Sequence, residues 1–127
     1  MAILPLSALL PNAASRIVFC LFFAVASCIA AHGKFHGRAT WYYAGIGACG
    51  DWNDDGDHIV ALSPIEFAGG TKCGKMIRVH YQGRSVTARI VDLCPSCGWT
   101  GIDLSTSAFR ALAPLDEGVL HAVWEYL

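Results

Sequence analysis

The chain has no run of basic residues. Nine Lys and Arg stand against ten Asp and Glu, a net charge of −1. Nucleic acid and anionic membrane surfaces are held by clustered cations, so neither is an expected partner. Internal repeats and low-complexity tracts are missing as well. No apolar stretch reaches the about 20 residues that a membrane span needs. No His lies within a few residues of Cys49, Cys73, Cys94 or Cys97. A structural zinc site, which uses two closely spaced ligand pairs, is therefore not expected, and no cofactor is called for.

What is present divides the chain in two. Arg16 precedes an apolar run, "IVFCLFFAVASCIAA" (Ile17–Ala31), that ends in small residues. This is the pattern of a secretory signal, with cleavage expected after Ala30 or Ala31. It assigns residues 1–31 to a leader and the protein to the extracellular space. Two rivals are a membrane anchor and a lipoprotein signal, "VASC", with Cys28 lipidated. Cys20 and Cys28 leave with the leader. The remaining domain is short, and small secreted domains often add disulfides to a marginal core. Four cysteines allow three pairings, and spacing alone does not choose among them.

Along the remainder, His32–Gly37 is polar and reads as a loose terminus, with the domain proper at 38–127. "RATWYY" (Arg38–Tyr43), "IVALS" (Ile59–Ser63), "MIRVHY" (Met76–Tyr81), "RSVTARIVD" (Arg84–Asp92) and "VLHAVWEYL" (Val119–Leu127) read as strands. Gln82-Gly83 is a hairpin turn. Pro64–Phe67 forms one helical turn, and Ser105 caps a short helix that Pro114 stops. Short strands with regular turns indicate an all-β barrel or sandwich.

Chemistry concentrates in "RIVDLCPSCGWTGIDLS" (Arg89–Ser105). Cys94 and Cys97 form a C-x-x-C, but thioredoxin-like redox work needs the first Cys at a helix N-terminus in a βαβ unit. A structural disulfide fits the all-β context better. Asp92 and Asp103 flank the motif. Paired carboxylates can serve glycoside cleavage, and they can equally bind backbone N–H groups at turns. Alternation puts Trp41 and Tyr43 on one side of their strand and Tyr42 on the other. Trp124 is a core residue by the same pattern. Exposed aromatics such as Trp99 can stack on a sugar ring.

"GRATWYYAGIGACG", "HIVALS", "CGKMIRVHYQGRSVTARIVDLCPSCG" and "GIDLSTSAFRALA" together resemble the secreted double-psi β-barrel proteins. That group holds rare lipoprotein A-like proteins, barwin, expansin N-terminal domains and family-45 endoglucanases. The resemblance runs from Arg38 to Tyr126 and is nearest to short single-domain members, papain-inhibiting ones among them. It implies a six-stranded barrel with one or two short helices and a shallow groove. Thr40, Asp92 and Asp103 match the groove positions of expansin-like domains, with Asp103 at the place of a general acid. Tyr42 and Trp99 join them as groove residues. The resemblance also implies Cys49–Cys73 and Cys94–Cys97 bridges, with Cys49–Cys97 and Cys73–Cys94 as the rival pairing.

Departures from the family pattern are specific. Cys94 stands where expansins commonly carry Tyr, and Glu66 stands where the bacterial lytic transglycosylases carry His. The insertion that holds the endoglucanase base is absent. A proton donor without its partner cannot run an inverting hydrolysis. The expectation is therefore a non-catalytic monomer that binds cell-wall polysaccharide or chitin. The alternative is an inhibitor of papain-like cysteine proteases, or a secreted effector, acting through loops Gly45–Asp57 and Ser96–Gly101. A glycan-cleaving enzyme ranks third.

Overall fold

The computed structural model describes residues Gly33–Leu127. The expected leader, its cleavage point and Cys28 lie outside the described residues. Six strands close into a barrel in the order β1-β5-β2-β4-β3-β6. They are β1 (Phe35–Tyr42), β2 (Ile59–Leu62), β3 (Met76–Tyr81), β4 (Arg84–Leu93), β5 (Ile102–Ser105) and β6 (Leu120–Tyr126). The pairs β1–β5 and β2–β4 are parallel, and the other four are antiparallel. Two short helices, α1 (Pro64–Phe67) and α2 (Thr106–Arg110), pack beside it.

Local sequence explains most of these elements. Gln82 and Gly83 both have positive φ, 46° and 79°. Such a turn matches the strand twist and sets the β3–β4 hairpin in register from Tyr81–Arg84 to Met76–Arg89. Ser63 accepts the Glu66 N–H and Pro64 opens α1, while Ser105 accepts the Ala108 N–H at the start of α2. Along β6, Leu120, Ala122 and Trp124 point into the barrel, and His121, Val123 and Glu125 point away. The interior also holds Val60, Leu62, Ile77, Val79, Ile90, Leu104 and Phe109, all fully buried. Each such side chain contributes about 1.5–3 kcal/mol by leaving water.

Two expectations are corrected. β1 begins at Phe35, not Arg38, so residues 35–37 are not a loose terminus. Phe35 stacks on Trp124 with ring centroids 4.3 Å apart, which anchors the strand start against β6. The segment Ile102–Ser105, absent from the strands read from the sequence, is a strand paired on both sides. It lies between β1 and β2.

Both disulfides follow the pairing that the resemblance implies, Cys49–Cys73 and Cys94–Cys97. The first ties the long loop after β1 to the segment before β3. The second closes the turn after β4.

Candidate functional site

Strand register brings distant residues into one row. Thr40 on β1 faces Asp103 on β5, Asp103 faces Ala61 on β2, and Ala61 faces Asp92 on β4. A bulge makes the last step possible. Val60 pairs with Ile90 but Ala61 pairs with Asp92, so Val91 is an extra residue in β4. Without it Asp92 would share the inward side of Ile90; the bulge turns it to the outer face. Strands lie about 4.8 Å apart, so the two aspartate backbones are separated by about 10 Å. Ala61 stands between them and offers little bulk.

The two carboxylates have different surroundings. The Thr40 hydroxyl donates to Asp103 Oδ1 at 2.9 Å. Burial pushes the Asp103 carboxyl above the usual carboxylate range; the Thr40 hydrogen bond pulls the other way, and the Asp92 charge adds to the rise. Asp92 is occupied by structure. Its Oδ1 accepts the Ala48 and Leu93 N–H groups, each at 2.8 Å. The Tyr42 phenol lies near both carboxylates. Burial first, and then the two negative charges, push its pKa far above the ordinary phenol value, so Tyr42 stays a neutral donor. Asp92 thereby anchors the loop after β1. Gly47 lets that loop approach, because a Cβ there would collide with the Val91 carbonyl.

A groove of about 690 Å³ opens beside this row. Thr40 and Asp103 lie at one end, and the Cys94–Thr100 turn with its disulfide forms a wall. Trp99 projects from that wall, 59% exposed. Its indole N–H donates to Glu66 Oε1 at 3.3 Å, and Glu66 Oε2 accepts the Tyr126 hydroxyl at 2.8 Å. The Ser63 hydroxyl holds the Trp99 carbonyl at 2.6 Å. Glu66 thus acts as a clamp for Trp99. The turn is fixed from inside as well, since Trp124 Nε1 donates to the Thr100 carbonyl at 2.9 Å. A Cβ on Gly37 would collide with that carbonyl. The groove therefore gathers Thr40, Trp99 and Asp103, while Tyr42 and Asp92 sit beside it as support. Among the described residues, no group of three or more His, Cys, Asp or Glu is placed to hold a metal ion.

A profile of the lytic transglycolase family matches residues 34–124. The chain belongs to this family of rare lipoprotein A-like double-psi β-barrels. As a member of it, the chain is 36% identical over 103 residues to a papain inhibitor from Streptomyces mobaraensis, covering 74% of this chain and 72% of that protein. The solved Streptomyces papain inhibitor superposes with a TM-score of 0.68, covering 75% of this chain and 94% of that one. An expansin mutant from Clavibacter michiganensis, solved in complex with cellohexaose, superposes with a TM-score of 0.70 at 28% identity. That match covers 75% of this chain but only 50% of the expansin. A grape ripening-related protein, grip22, is 50% identical over 96 residues, 44% of its length. The chain thus spans about half or less of these last two.

Three groove residues escaped the sequence reading: His36, Arg38 and His121. The signal was available for two of them. His36, Arg38, Thr40 and Tyr42 alternate along β1 and share its outer side. Assigning His36 to a loose terminus hid that alternation. For His121, only the β1–β6 register places it opposite Arg38.

Proposed function

We propose that this protein is a secreted, non-catalytic, monomeric double-psi barrel that binds cell-wall polysaccharide in the groove. One observation carries the reading: a fixed hydroxyl–carboxylate pair, Thr40 and Asp103, opens into the same cavity as a clamped, exposed indole, Trp99. The pair offers polar contacts to sugar hydroxyls. The indole face offers an apolar surface to ring C–H groups. Asp92 supports the non-catalytic half of the proposal, because its Oδ1 is taken up by two backbone N–H groups. No cofactor is needed. Pull-down on insoluble cellulose, chitin and plant cell wall is the test. Retention of the wild type, with loss in Trp99→Ala and Asp103→Ala, is expected. No retention of the wild type sinks the proposal, and soluble sugar released by the wild type sinks its non-catalytic half.

A second reading rests on the loop after β1. Tyr43, Ile46 and Trp52 are exposed there, and an isolated bridge pairs Ile46 with Trp52. Asp54 accepts the Trp52 indole N–H at 3.1 Å, and the Cys49–Cys73 bridge pins the loop base. A rigid apolar projection suits insertion into a protein cleft, such as that of a papain-like protease. Inhibition of papain by micromolar protein, lost in Trp52→Ala, is the expected result. Its absence removes this reading.

A further inference from the structure

The groove has a charged polarity that the proposed function does not use. Arg38 on β1 and His121 on β6 are directly opposed in register, on the outer face. His36 stands two residues before Arg38 on the same side, and all three line the groove. Asp103 is the single carboxylate among the lining residues, and its Oδ1 already takes the Thr40 hydroxyl. The ion pairs among the described residues, Lys34–Glu125 and His80–Glu125, lie elsewhere, and Arg38 joins neither. A chain of net charge −1 has therefore gathered basic side chains in its one groove that also carries Trp99 and Asp103.

An anion seated between Arg38 and His121 meets a guanidinium on one side and an imidazole on the other, and both carry N–H groups that can donate to it. The guanidinium fork suits a carboxylate, which it can hold with two parallel hydrogen bonds. Arg38 and Thr40 are two residues apart on one strand, a spacing of about 6.7 Å. That is close to the span of one sugar ring. A ring lying along β1 can therefore place an acid group on Arg38 and a hydroxyl on Thr40 and Asp103.

We propose that the groove selects acidic glycans, polymers of uronic acid, with Arg38 flanked by His121 and His36 receiving the ring carboxylate. This rests on the polysaccharide-binding reading and narrows its substrate class. It also gives the groove a direction, since the carboxylate end and the hydroxyl end of the ring meet different residues.

The test compares binding of the protein to polygalacturonate, to the same polymer after carboxyl reduction, and to cellulose and chitin. Polygalacturonate is expected to bind most tightly, with affinity that falls as ionic strength rises. Arg38→Gln is expected to weaken that binding about tenfold, the size of one lost charge-assisted pair. Arg84→Gln removes the same charge from an exposed position outside the groove and is expected to leave affinity unchanged. Arg38 is exposed, so its replacement leaves the core intact, and an unchanged melting temperature checks this. Equal or tighter binding of the neutral polymers, an unaffected Arg38→Gln, or equal losses in both arginine variants overturns acid selection while glycan binding stands. Binding to no polymer overturns both.

Discussion

The Thr40 hydroxyl and the Asp103 carboxylate meet at 2.9 Å across a parallel strand pair, 63 residues apart in sequence. Burial raises the pKa of Asp103 above the usual carboxylate value even with that bond in place. The fold therefore favours the protonated acid. That contribution is complete below the unfolded carboxylate range, about 4, and is lost as pH rises through the higher folded value. Asp103→Asn keeps an acceptor for Thr40 and carries no charge. Its melting temperature is expected to match the wild type near about pH 3 and to exceed it at neutral pH. Parallel thermal melts across this range decide; a deficit that widens with pH contradicts the expectation.

Gly37 is expected to be intolerant of any side chain. Its backbone conformation is ordinary for a strand, so the reason is space: a Cβ would meet the Thr100 carbonyl. Gly37→Ala must push the turn away from Trp124 or distort β1, at about 1–3 kcal/mol. Urea unfolding measures the loss. Groove binding should weaken with it, because the displaced turn carries Trp99.

The two disulfides should differ in weight. Cys49–Cys73 closes a loop with a sequence separation of 24, and Cys94–Cys97 one of 3. Loop-closure entropy then gives about 3.5 kcal/mol for the first and about 2 for the second. Unfolding of the paired Cys→Ala double variants, C49A/C73A and C94A/C97A, checks the order. The second pair should instead show the larger effect on glycan binding, since it forms the groove wall.

Glu66→Ala removes the acceptor of both Trp99 and Tyr126. Glu66 and Tyr126 are half-buried, so stability should fall by about 1–2 kcal/mol, the size of a lost hydrogen bond to a charged group. The indole, freed from its clamp, should pay more ordering entropy on binding, with affinity falling several-fold. Glycan titration beside a thermal melt separates the two. A large stability loss with unchanged affinity would show that Glu66 serves the fold and not the groove.

Particular residues show what could be read in advance. Gln82-Gly83 and the alternation of β6 are local signals, and they placed the β3–β4 hairpin and Trp124 correctly. β5 has four residues and sits between two strands far away in sequence, so no local periodicity marks it. The start of β1 depends on Phe35 meeting Trp124, a tertiary contact. Thr40 and Asp103 were named from the resemblance of motifs, and Trp99 as an exposed aromatic. Arg38 and His121 become neighbours only through the β1–β6 register. The outward turn of Asp92 depends on a bulge that its own segment does not announce.

The row from Thr40 through Asp103 and Ala61 to Asp92 draws on four strands, and each neighbouring pair in it is more than 30 residues apart in sequence. The Thr40–Asp103 pair that lines the groove cannot exist until β1 and β5 have paired. Pairings of such long range form late and slowly during folding. Ligand capture therefore reports that the last strand has docked, and a refolding experiment followed by glycan binding would time barrel closure itself.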